Sequence, residues 1–566
     1  MSSPRSRSRT RFILLAVFTT LFLYYHLSAP TTPASHIPYT ASLALATSPS
    51  PPSVSSAKSP SRTLPTAAPS SSTPAGRAKP LPRIQYDFPS PSQHWSRDAL
   101  KVRETRQRKV RTLFLKNWNA YRTHAWKKDA LLPLSAGGRD QFSGWAATLV
   151  DSLDTLWVMG LRKEFDEAVA AVADIDFGVS TSTRVNVFET TVRYLGGLLA
   201  AYDLSRRAIL LTKAVELADL LYVAFDTENR LPVDNIDFER AKLGRGLLAE
   251  GLVASAAPAS LSLEMTRLSQ LTGDPKYYDA VARVTRLFAA QQMDTDLPGM
   301  WPTRPLYERM SRAFLRTATT HLFFRPMLPS GHNVLFSGTV NVVAGSDPDS
   351  NGSDNTDKEL STESEHLACF AGGMMALASR LLSNATYLDT GARLAKGCAY
   401  AYKVFPTGLM PERFDLVPCP GDLLAPATCP WDRAAWNAAK TQYPARKANL
   451  PRGFASAKDP RYLLRPEAIE SLFVLYRVTG DELYVEAAWD MFVAVSEATA
   501  TEIANAAVLD VTVAKTAKKE VPKEDYMELL ASRDPQILLP HLLTPDLISL
   551  DDFVLNTEAH PLRRPK

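Results

Sequence analysis

The sequence predicts an all-α protein in which helical hairpins recur around a closed ring. Three short stretches, 271–277, 478–484 and 382–387, are near or degenerate copies of one another. Apolar residues repeat with helical spacing in the segments 145–160, 191–204, 208–224, 367–382 and 485–497. A helix–turn–helix unit that recurs over tens of residues builds either an open solenoid or a closed ring. We expect an α/α barrel, because two acidic blocks open helices early in their units and would gather at one end of its axis.

The repeated stretches predict where helices end and begin. Gly273 and Gly480 are expected to leave the preceding helix in the left-handed conformation. Asp274 and Asp481, which follow them, are expected to cap the next helix.

The first acidic block reads Leu-Arg-Pro-Glu-Ala-Ile-Glu-Ser over residues 464–471. It opens a helix whose apolar stripe is Ile469, Leu472, Phe473 and Tyr476. Pro466 suits a first helical turn, and carboxylates there are favoured by the helix dipole.

The second block reads Phe-Glu-Thr-Thr-Val-Arg-Tyr over residues 188–194, with Glu189 and Arg193 one turn apart. For either block alone, helix capping with an ion pair between neighbouring turns is an adequate interpretation. Buried carboxylates are costly unless they are paired, hydrogen-bonded or used. Two such blocks in one chain therefore favour a carboxylate-based active site.

Composition describes an ordinary globular body with a basic N-terminal tail. The 566 residues are 45% hydrophobic and 22% charged, and the net charge is +5. Residues 1–86 contain nine Lys and Arg and no acidic residue, so the remainder is slightly acidic. The basic balance therefore does not indicate a nucleic-acid partner.

The tail predicts a membrane anchor. Arginines precede an apolar run, which we expect to be a signal anchor over 12–28 with a cytosolic tail over 1–11. A cleaved signal peptide is the alternative. The Pro/Ser/Thr-rich segment 29–95 is expected to be an unfolded stem, and 96–566 the barrel domain. This topology places the barrel in the lumen of the secretory pathway.

A luminal location makes disulfide pairing the default for the four cysteines. We prefer the pairs Cys369–Cys398 and Cys419–Cys429, although four cysteines allow three arrangements. There is no Cys/His cluster of the kind that binds zinc. Asn351-Gly-Ser and Asn384-Ala-Thr are possible glycosylation sites.

The chain resembles glycoside hydrolase family 47, the class I α-1,2-mannosidases, in its fungal type II membrane form. The matching blocks include 188–197, His-Leu-Ala-Cys-Phe at 366–370, 464–471 and Asn-Thr-Glu-Ala-His-Pro at 556–561. The resemblance implies an (α/α)7 barrel that trims mannose from high-mannose N-glycans by inverting, calcium-dependent hydrolysis. It also implies a single-pass protein of the Golgi or endoplasmic reticulum membrane, and we expect a monomer.

The resemblance also implies roles for individual residues. Glu189 corresponds to the general acid, Glu467 to the base that activates water, and Thr557 to the residue that holds Ca²⁺. The expected substrate-binding residues are Arg193, Glu264, Arg465, Glu470 and Glu558.

Two departures from the family pattern predict an incomplete barrel. A block resembling Asp-Ser-Tyr-Tyr-Glu-Tyr-Leu, which carries a third catalytic acid, is missing between 302 and 306. Residues 529–543 replace a Ser-Phe-Trp block and contain two prolines hostile to a helix. Codons for 528–543 can be chosen so that a shifted frame spells Ser-Phe-Trp-Leu-Leu-Glu-Thr-Leu-Lys-Tyr. A misplaced splice boundary or a sequence error would explain both departures.

Several interpretations follow. An intact product is a processing mannosidase, whereas the chain as written is either a mannose-glycan-binding pseudoenzyme or a product that misfolds. An unrelated structural solenoid is the remaining alternative.

Overall fold

The computed structural model describes residues 81–89, 95–250, 254–293, 306–344, 356–420, 429–442, 450–513, 520–527 and 547–565. The described residues from Arg83 onward belong to one compact unit. The predicted anchor over 12–28 and most of the stem lie outside the described residues. So do residues 303–305, where the first departure falls, and residues 529–543. Among the helices that the structure describes, none combines the length and apolar character needed to cross a bilayer.

Helices dominate the described chain, as predicted. They are α1 (Arg97–His124), α2 (Ala147–Asp151), α3 (Leu153–Val158), α4 (Arg162–Ala173), α5 (Val187–Glu189), α6 (Gly196–Ser205), α7 (Ala208–Tyr222), α8 (Phe238–Lys242), α9 (Ala256–Ser260), α10 (Ser262–Thr272), α11 (Pro275–Gln291), α12 (Leu306–His321), α13 (Ala371–Leu381), α14 (Ala385–Val404), α15 (Arg433–Thr441), α16 (Glu467–Thr479) and α17 (Leu483–Ala498). A π-helix, Thr190–Leu195, joins α5 to α6, and 3₁₀ turns cover Val223–Phe225 and His366–Phe370.

Consecutive helices pack in pairs, which is the hairpin unit that the repeats predict. The pairs are α6 with α7, α10 with α11, α13 with α14, and α16 with α17. The α13–α14 pair is close because glycines face each other: a Cβ on Gly391 would lie 2.6 Å from the carbonyl oxygen of Gly372. One large apolar core, which includes Trp118, Tyr194 and Phe473, runs through these pairs.

The predicted helix ends at Gly273 and Gly480 and the cap at Asp274 are confirmed, whereas α17 begins one residue later than predicted, with Glu482 as its N-cap. Gly273 and Gly480 both have φ of 74° and end α10 and α16. The Asp274 side chain accepts a hydrogen bond from the Lys276 backbone N–H at 2.9 Å, and Asp481 does the same for Leu483 at 3.0 Å. Pro466 stands one residue earlier than expected, because it is the N-cap of α16 rather than part of its first turn.

Short antiparallel strands lie between the helices along the chain, and the helical periodicity did not predict them. They are β1 (Ala130–Leu132), β2 (Gly137–Arg139), β3 (Arg184–Asn186), β4 (Asn235–Asp237), β5 (Phe323–Phe324), β6 (Phe336–Ser337), β7 (Thr339–Ala344), β8 (Thr356–Ser361), β9 (Glu363–Glu365), β10 (Arg413–Leu416), β11 (Phe454–Asp459), β12 (Phe553–Leu555) and β13 (Pro561–Arg563). Most form two-stranded sheets, while β11, β10 and β9 form one three-stranded sheet. Two of these elements matter for the site: the β12–β13 hairpin, and β9, which leads into His366.

Both preferred disulfides are present. Cys369 bonds to Cys398, which ties the start of α13 to α14, and Cys419 bonds to Cys429. No described cysteine is free.

Candidate active site

Glu189 lies where an α-helical turn passes into a π-helix. Asn186 precedes α5, and its side-chain oxygen accepts a hydrogen bond from the Glu189 backbone N–H at 2.8 Å. The next six residues, Thr190–Leu195, are π-helical. The regular apolar spacing of this segment gave no sign of the π-helix. A single π-helical turn inside an α-helix is frequent at functional sites.

One guanidinium joins two of the predicted acids. Arg193 donates from Nε to Glu189 Oε2 at 2.7 Å and from a terminal nitrogen to Glu558 Oε2 at 3.2 Å. The side chains of Arg193 and Glu558 are 5% and 7% exposed, whereas that of Glu189 is 23% exposed. Of the three, Glu189 is therefore the group best placed to meet a molecule from solvent.

The loop of the β12–β13 hairpin reaches the same place through Asn556. The Asn556 side-chain oxygen accepts from the backbone N–H groups of Glu558 and His560, each at 2.9 Å. Its amide nitrogen donates to the Val192 carbonyl at 2.9 Å and to Glu264 Oε1 at 2.7 Å. One buried amide thus fixes the loop and links it to both the π-helix and α10.

His560 anchors the other side of this loop. Its Nδ1 lies 2.6 Å from Asp154 Oδ2, and its Nε2 lies 3.2 Å from the Arg193 carbonyl oxygen. The approach requires glycines on α6, since a Cβ on Gly196 would lie 2.4 Å from the Asn556 amide nitrogen and one on Gly197 3.1 Å from the His560 ring. The sequence block containing His560 was recognised, but its contact with Asp154 was not anticipated.

Glu264 is fully buried beside Asn556. Burial raises the pKa of Glu264 to about 7, although the hydrogen bond from Asn556 opposes this rise. Among the described residues no group donates a hydrogen bond to its second oxygen, Oε2. A buried acceptor of this kind calls for a water molecule or an ion.

Glu467 is the first residue of α16, and its carboxylate contacts an imidazole. Glu467 Oε2 lies 3.1 Å from His366 Nδ1, and His366 Nε2 lies 2.7 Å from the Tyr402 hydroxyl. An ionised Glu467 accepts a hydrogen bond from the Nδ1–H of His366, and the Tyr402 hydroxyl also donates to the Tyr462 hydroxyl at 3.4 Å. Sequence reasoning noted His366 only as part of a matching block and missed this contact.

Opposing effects set the ionisation of Glu467. Burial would raise the pKa of Glu467, but the hydrogen bond from His366 and the electrostatic interactions with His366 and Arg465 outweigh burial and hold the pKa below its usual value. Glu467 is therefore a carboxylate at neutral pH.

Arg465 is held next to Glu467 by a second acid that sequence reasoning missed. Its Nε donates to Glu412 Oε2 at 2.6 Å, and Glu412 Oε1 accepts from the Leu463 backbone N–H at 3.0 Å. Glu470, one turn after Glu467 on α16, is also buried.

The predicted site residues thus form two groups. Glu189, Arg193, Glu264, Thr557 and Glu558 gather around the β12–β13 loop, which we call the hairpin group. The α16 group consists of Arg465, Glu467 and Glu470, together with His366 and Glu412.

The hairpin group fits a hydrated calcium ion better than a metal held by side chains. Among the described residues, no three His, Cys, Asp or Glu side chains converge as metal ligands. Thr557 is partly exposed at the tip of the loop, and Glu558 and Glu264 adjoin it, the latter through Asn556. Calcium accepts hydroxyl, carbonyl and water oxygens, and the unsatisfied Oε2 of Glu264 can accept from such a water.

Comparisons with known proteins identify mannosidases that are similar to this chain. Mannosyl-oligosaccharide 1,2-alpha-mannosidase MNS1 of Arabidopsis thaliana is 31% identical over 496 residues, which cover 82% of this chain and 79% of that protein. The endoplasmic reticulum mannosyl-oligosaccharide 1,2-alpha-mannosidase of Homo sapiens is 30% identical over 81% of this chain and 64% of the human protein. The structure of the alpha-1,2-mannosidase from Trichoderma reesei superposes with a TM-score of 0.67 at 26% identity, covering 81% of this chain and 99% of that one.

The likeness to the Trichoderma enzyme confirms the predicted (α/α)7-barrel fold. The sequence model of glycosyl hydrolase family 47 matches residues 113–305 and then residues 303–564. The two matches meet where the expected third-acid block is missing. The chain belongs to glycosyl hydrolase family 47.

Proposed function

We propose that this chain trims α-1,2-linked mannose from high-mannose N-glycans. The observation that carries the proposal is the Glu467–His366–Tyr402 chain, which holds one carboxylate ionised at the start of a buried helix. The relatives named above are mannosidases, which supports the choice of sugar.

Glu467 would act as the base and Glu189 as the acid of inverting hydrolysis. Glu467 accepts a proton from a water molecule as the water oxygen attacks the anomeric carbon. The bond from that carbon to the bridging oxygen breaks, and Glu189 gives its proton to the leaving oxygen. The products are free mannose and a glycan one residue shorter.

Arg193 controls the general acid in this proposal. Its hydrogen bond to Glu189 fixes the orientation of the carboxyl group, while Glu558 balances part of its charge. The remaining predicted residues, Glu264, Arg465, Glu470 and Glu558, offer acceptors and donors for sugar hydroxyls.

Thr557 would hold Ca²⁺ through its oxygens, with Glu264 and Glu558 accepting hydrogen bonds from the ion's waters. When bound, the ion would supply positive charge and a fixed position for sugar hydroxyls.

We further propose that the barrel lies in the lumen of the endoplasmic reticulum or Golgi, anchored by residues 12–28, and acts as a monomer. The human relative is named for the endoplasmic reticulum, which supports this assignment.

A mannose-glycan-binding pseudoenzyme is the second candidate. The family match breaks at residues 303–305, where the block with the third acid is absent. Loss of one catalytic carboxylate lowers turnover by orders of magnitude while leaving other sugar contacts in place.

Mannose release from a high-mannose oligosaccharide separates the two candidates. We expect the purified luminal portion, residues 83–566, to release mannose, and the E467Q substitution to lower the rate of release by about 10²–10⁴-fold. E486Q is the matched control, because Glu486 pairs with Arg106 on the surface. Glycan binding by folded wild-type protein without release would refute the hydrolase and establish the pseudoenzyme.

A further inference from the structure

The turn between α13 and α14 carries the sequence Asn384-Ala385-Thr386. Ser383 has φ of 52°, so the chain leaves α13 in the left-handed conformation. Asn384 is the N-cap of α14, and Ala385 and Thr386 are exposed in its first turn. An Asn-X-Thr sequence on an exposed turn is an acceptor for N-linked glycosylation.

The hydrogen bond of Asn384 uses its side-chain oxygen and leaves its side-chain nitrogen, the atom that is glycosylated, available. The Thr386 backbone N–H donates to Asn384 Oδ1 at 3.0 Å. Because an N–H group can bond only to the oxygen of the amide, this contact identifies the other atom as Nδ2. Asn384 Nδ2 donates no hydrogen bond to the described part of the chain. Capping and glycosylation therefore use different atoms of one side chain.

The space beside Asn384 can receive a sugar. Asn384 and Thr386 line a cavity of about 560 Å³ whose other walls include Arg312, Arg316 and Tyr387. Cavities of about 300–1,000 Å³ accommodate small organic ligands. Guanidinium groups supply donors for sugar oxygens, and Tyr387 supplies an apolar ring face.

We propose that Asn384 carries an N-linked glycan whose first N-acetylglucosamine lies over this cavity. The donor would be a lipid diphosphate-linked oligosaccharide. Nδ2 bonds to the anomeric carbon of the sugar, the bond from that carbon to the phosphate oxygen breaks, and Nδ2 loses one proton as the lipid diphosphate leaves. The proposal rests on the luminal location proposed above, because the modifying machinery acts in the lumen.

Peptide mass spectrometry of the full-length protein, expressed in a eukaryotic secretory pathway, tests the site directly. Peptide N-glycosidase converts a glycosylated Asn into Asp, so occupancy at Asn384 is measured on the wild-type chain without any variant. We expect a conversion at Asn384 and a gel shift equal to one glycan that is absent in N384D and T386A. N384D retains a capping oxygen, since Asp and Asn are comparable N-caps. T386S keeps the acceptor sequence and should keep the glycan.

The second acceptor sequence, at Asn351, provides an internal control for location. An unmodified Asn384 in a chain whose Asn351 is modified would overturn this proposal and leave the luminal location intact. If neither asparagine is modified, the glycosylation proposal fails, and digestion of the barrel by protease added outside intact microsomes would then refute the luminal location separately.

Discussion

Glu363 and Glu365 lie in one short strand, β9, yet their surroundings shift their pKa values in opposite directions. Burial raises the pKa of Glu365 to about 7, and the charges of Glu363 and Glu412 add to burial while Arg413 opposes it. Burial also acts on Glu363, but contacts with Lys458 and Arg413 outweigh it and hold the pKa below the usual value. Substitution by Gln, which cannot ionise, should therefore change stability with opposite signs at the two positions.

For Glu365 the loss of folding stability appears as the pH rises, because the buried group then ionises. Unfolded chains ionise this group above its ordinary pKa of 4.5, whereas the folded protein does so only near 7. The contribution of Glu365 to stability therefore falls between these two pH values and is constant above them. At about 1.4 kcal/mol per pKa unit, the interval sets an upper limit of about 3 kcal/mol.

The assay is urea unfolding of the luminal portion, residues 83–566, at pH 4 and pH 8. We expect E365Q to be more stable than wild type by up to about 3 kcal/mol at pH 8, with no difference at pH 4. E363Q should be less stable than wild type at pH 8, and this difference should shrink as the pH falls through the lowered pKa of Glu363. A destabilised E365Q at pH 8 would mean that Arg413 stabilises an ionised Glu365, and that burial does not dominate its ionisation.

Three further substitutions or truncations test other contacts. Y402F removes the hydroxyl that hydrogen-bonds to His366, and we expect kcat for mannose release to fall about tenfold with little change in KM, from a lost hydrogen bond of about 1.4 kcal/mol. An unchanged kcat would contradict this role. G197A places a Cβ 2.9 Å from a backbone carbonyl oxygen, so it should cost about 1–3 kcal/mol in unfolding free energy, whereas G137A, with its nearest neighbour at 3.6 Å, should cost less. Removal of 83–89 should lower stability by about 2–4 kcal/mol, since Ile84 is buried, Phe88 packs against the core and backbone N–H groups of the segment donate to the barrel. Equal unfolding midpoints for proteins starting at residues 83 and 90 would show that the segment adds nothing.

Local features were the ones that sequence predicted well. The left-handed exits at Gly273 and Gly480 need only a residue without a Cβ, and the cap at Asp274 needs only a short acceptor. Such features depend on neighbouring residues, so one sequence suffices to predict them. The two disulfides were also predicted, although the number of cysteines alone left three pairings open.

Apolar periodicity does not predict contacts between distant parts of the chain. Arg193 bonds to Glu558, and Asn556 to Glu264, across hundreds of residues. The resemblance identified most of these residues but did not predict which of them are in contact. The π-helix Thr190–Leu195 was missed because its apolar residues fit an ordinary α-helical stripe equally well.

Calcium-dependent hydrolysis is tested by measuring mannose release from a high-mannose oligosaccharide by the luminal portion, with and without a calcium chelator. We predict release that stops on chelation and returns when calcium is added. Folded protein that releases no mannose in the presence of calcium would contradict the account. Release that continues at the same rate in chelator would contradict the proposed role of Thr557.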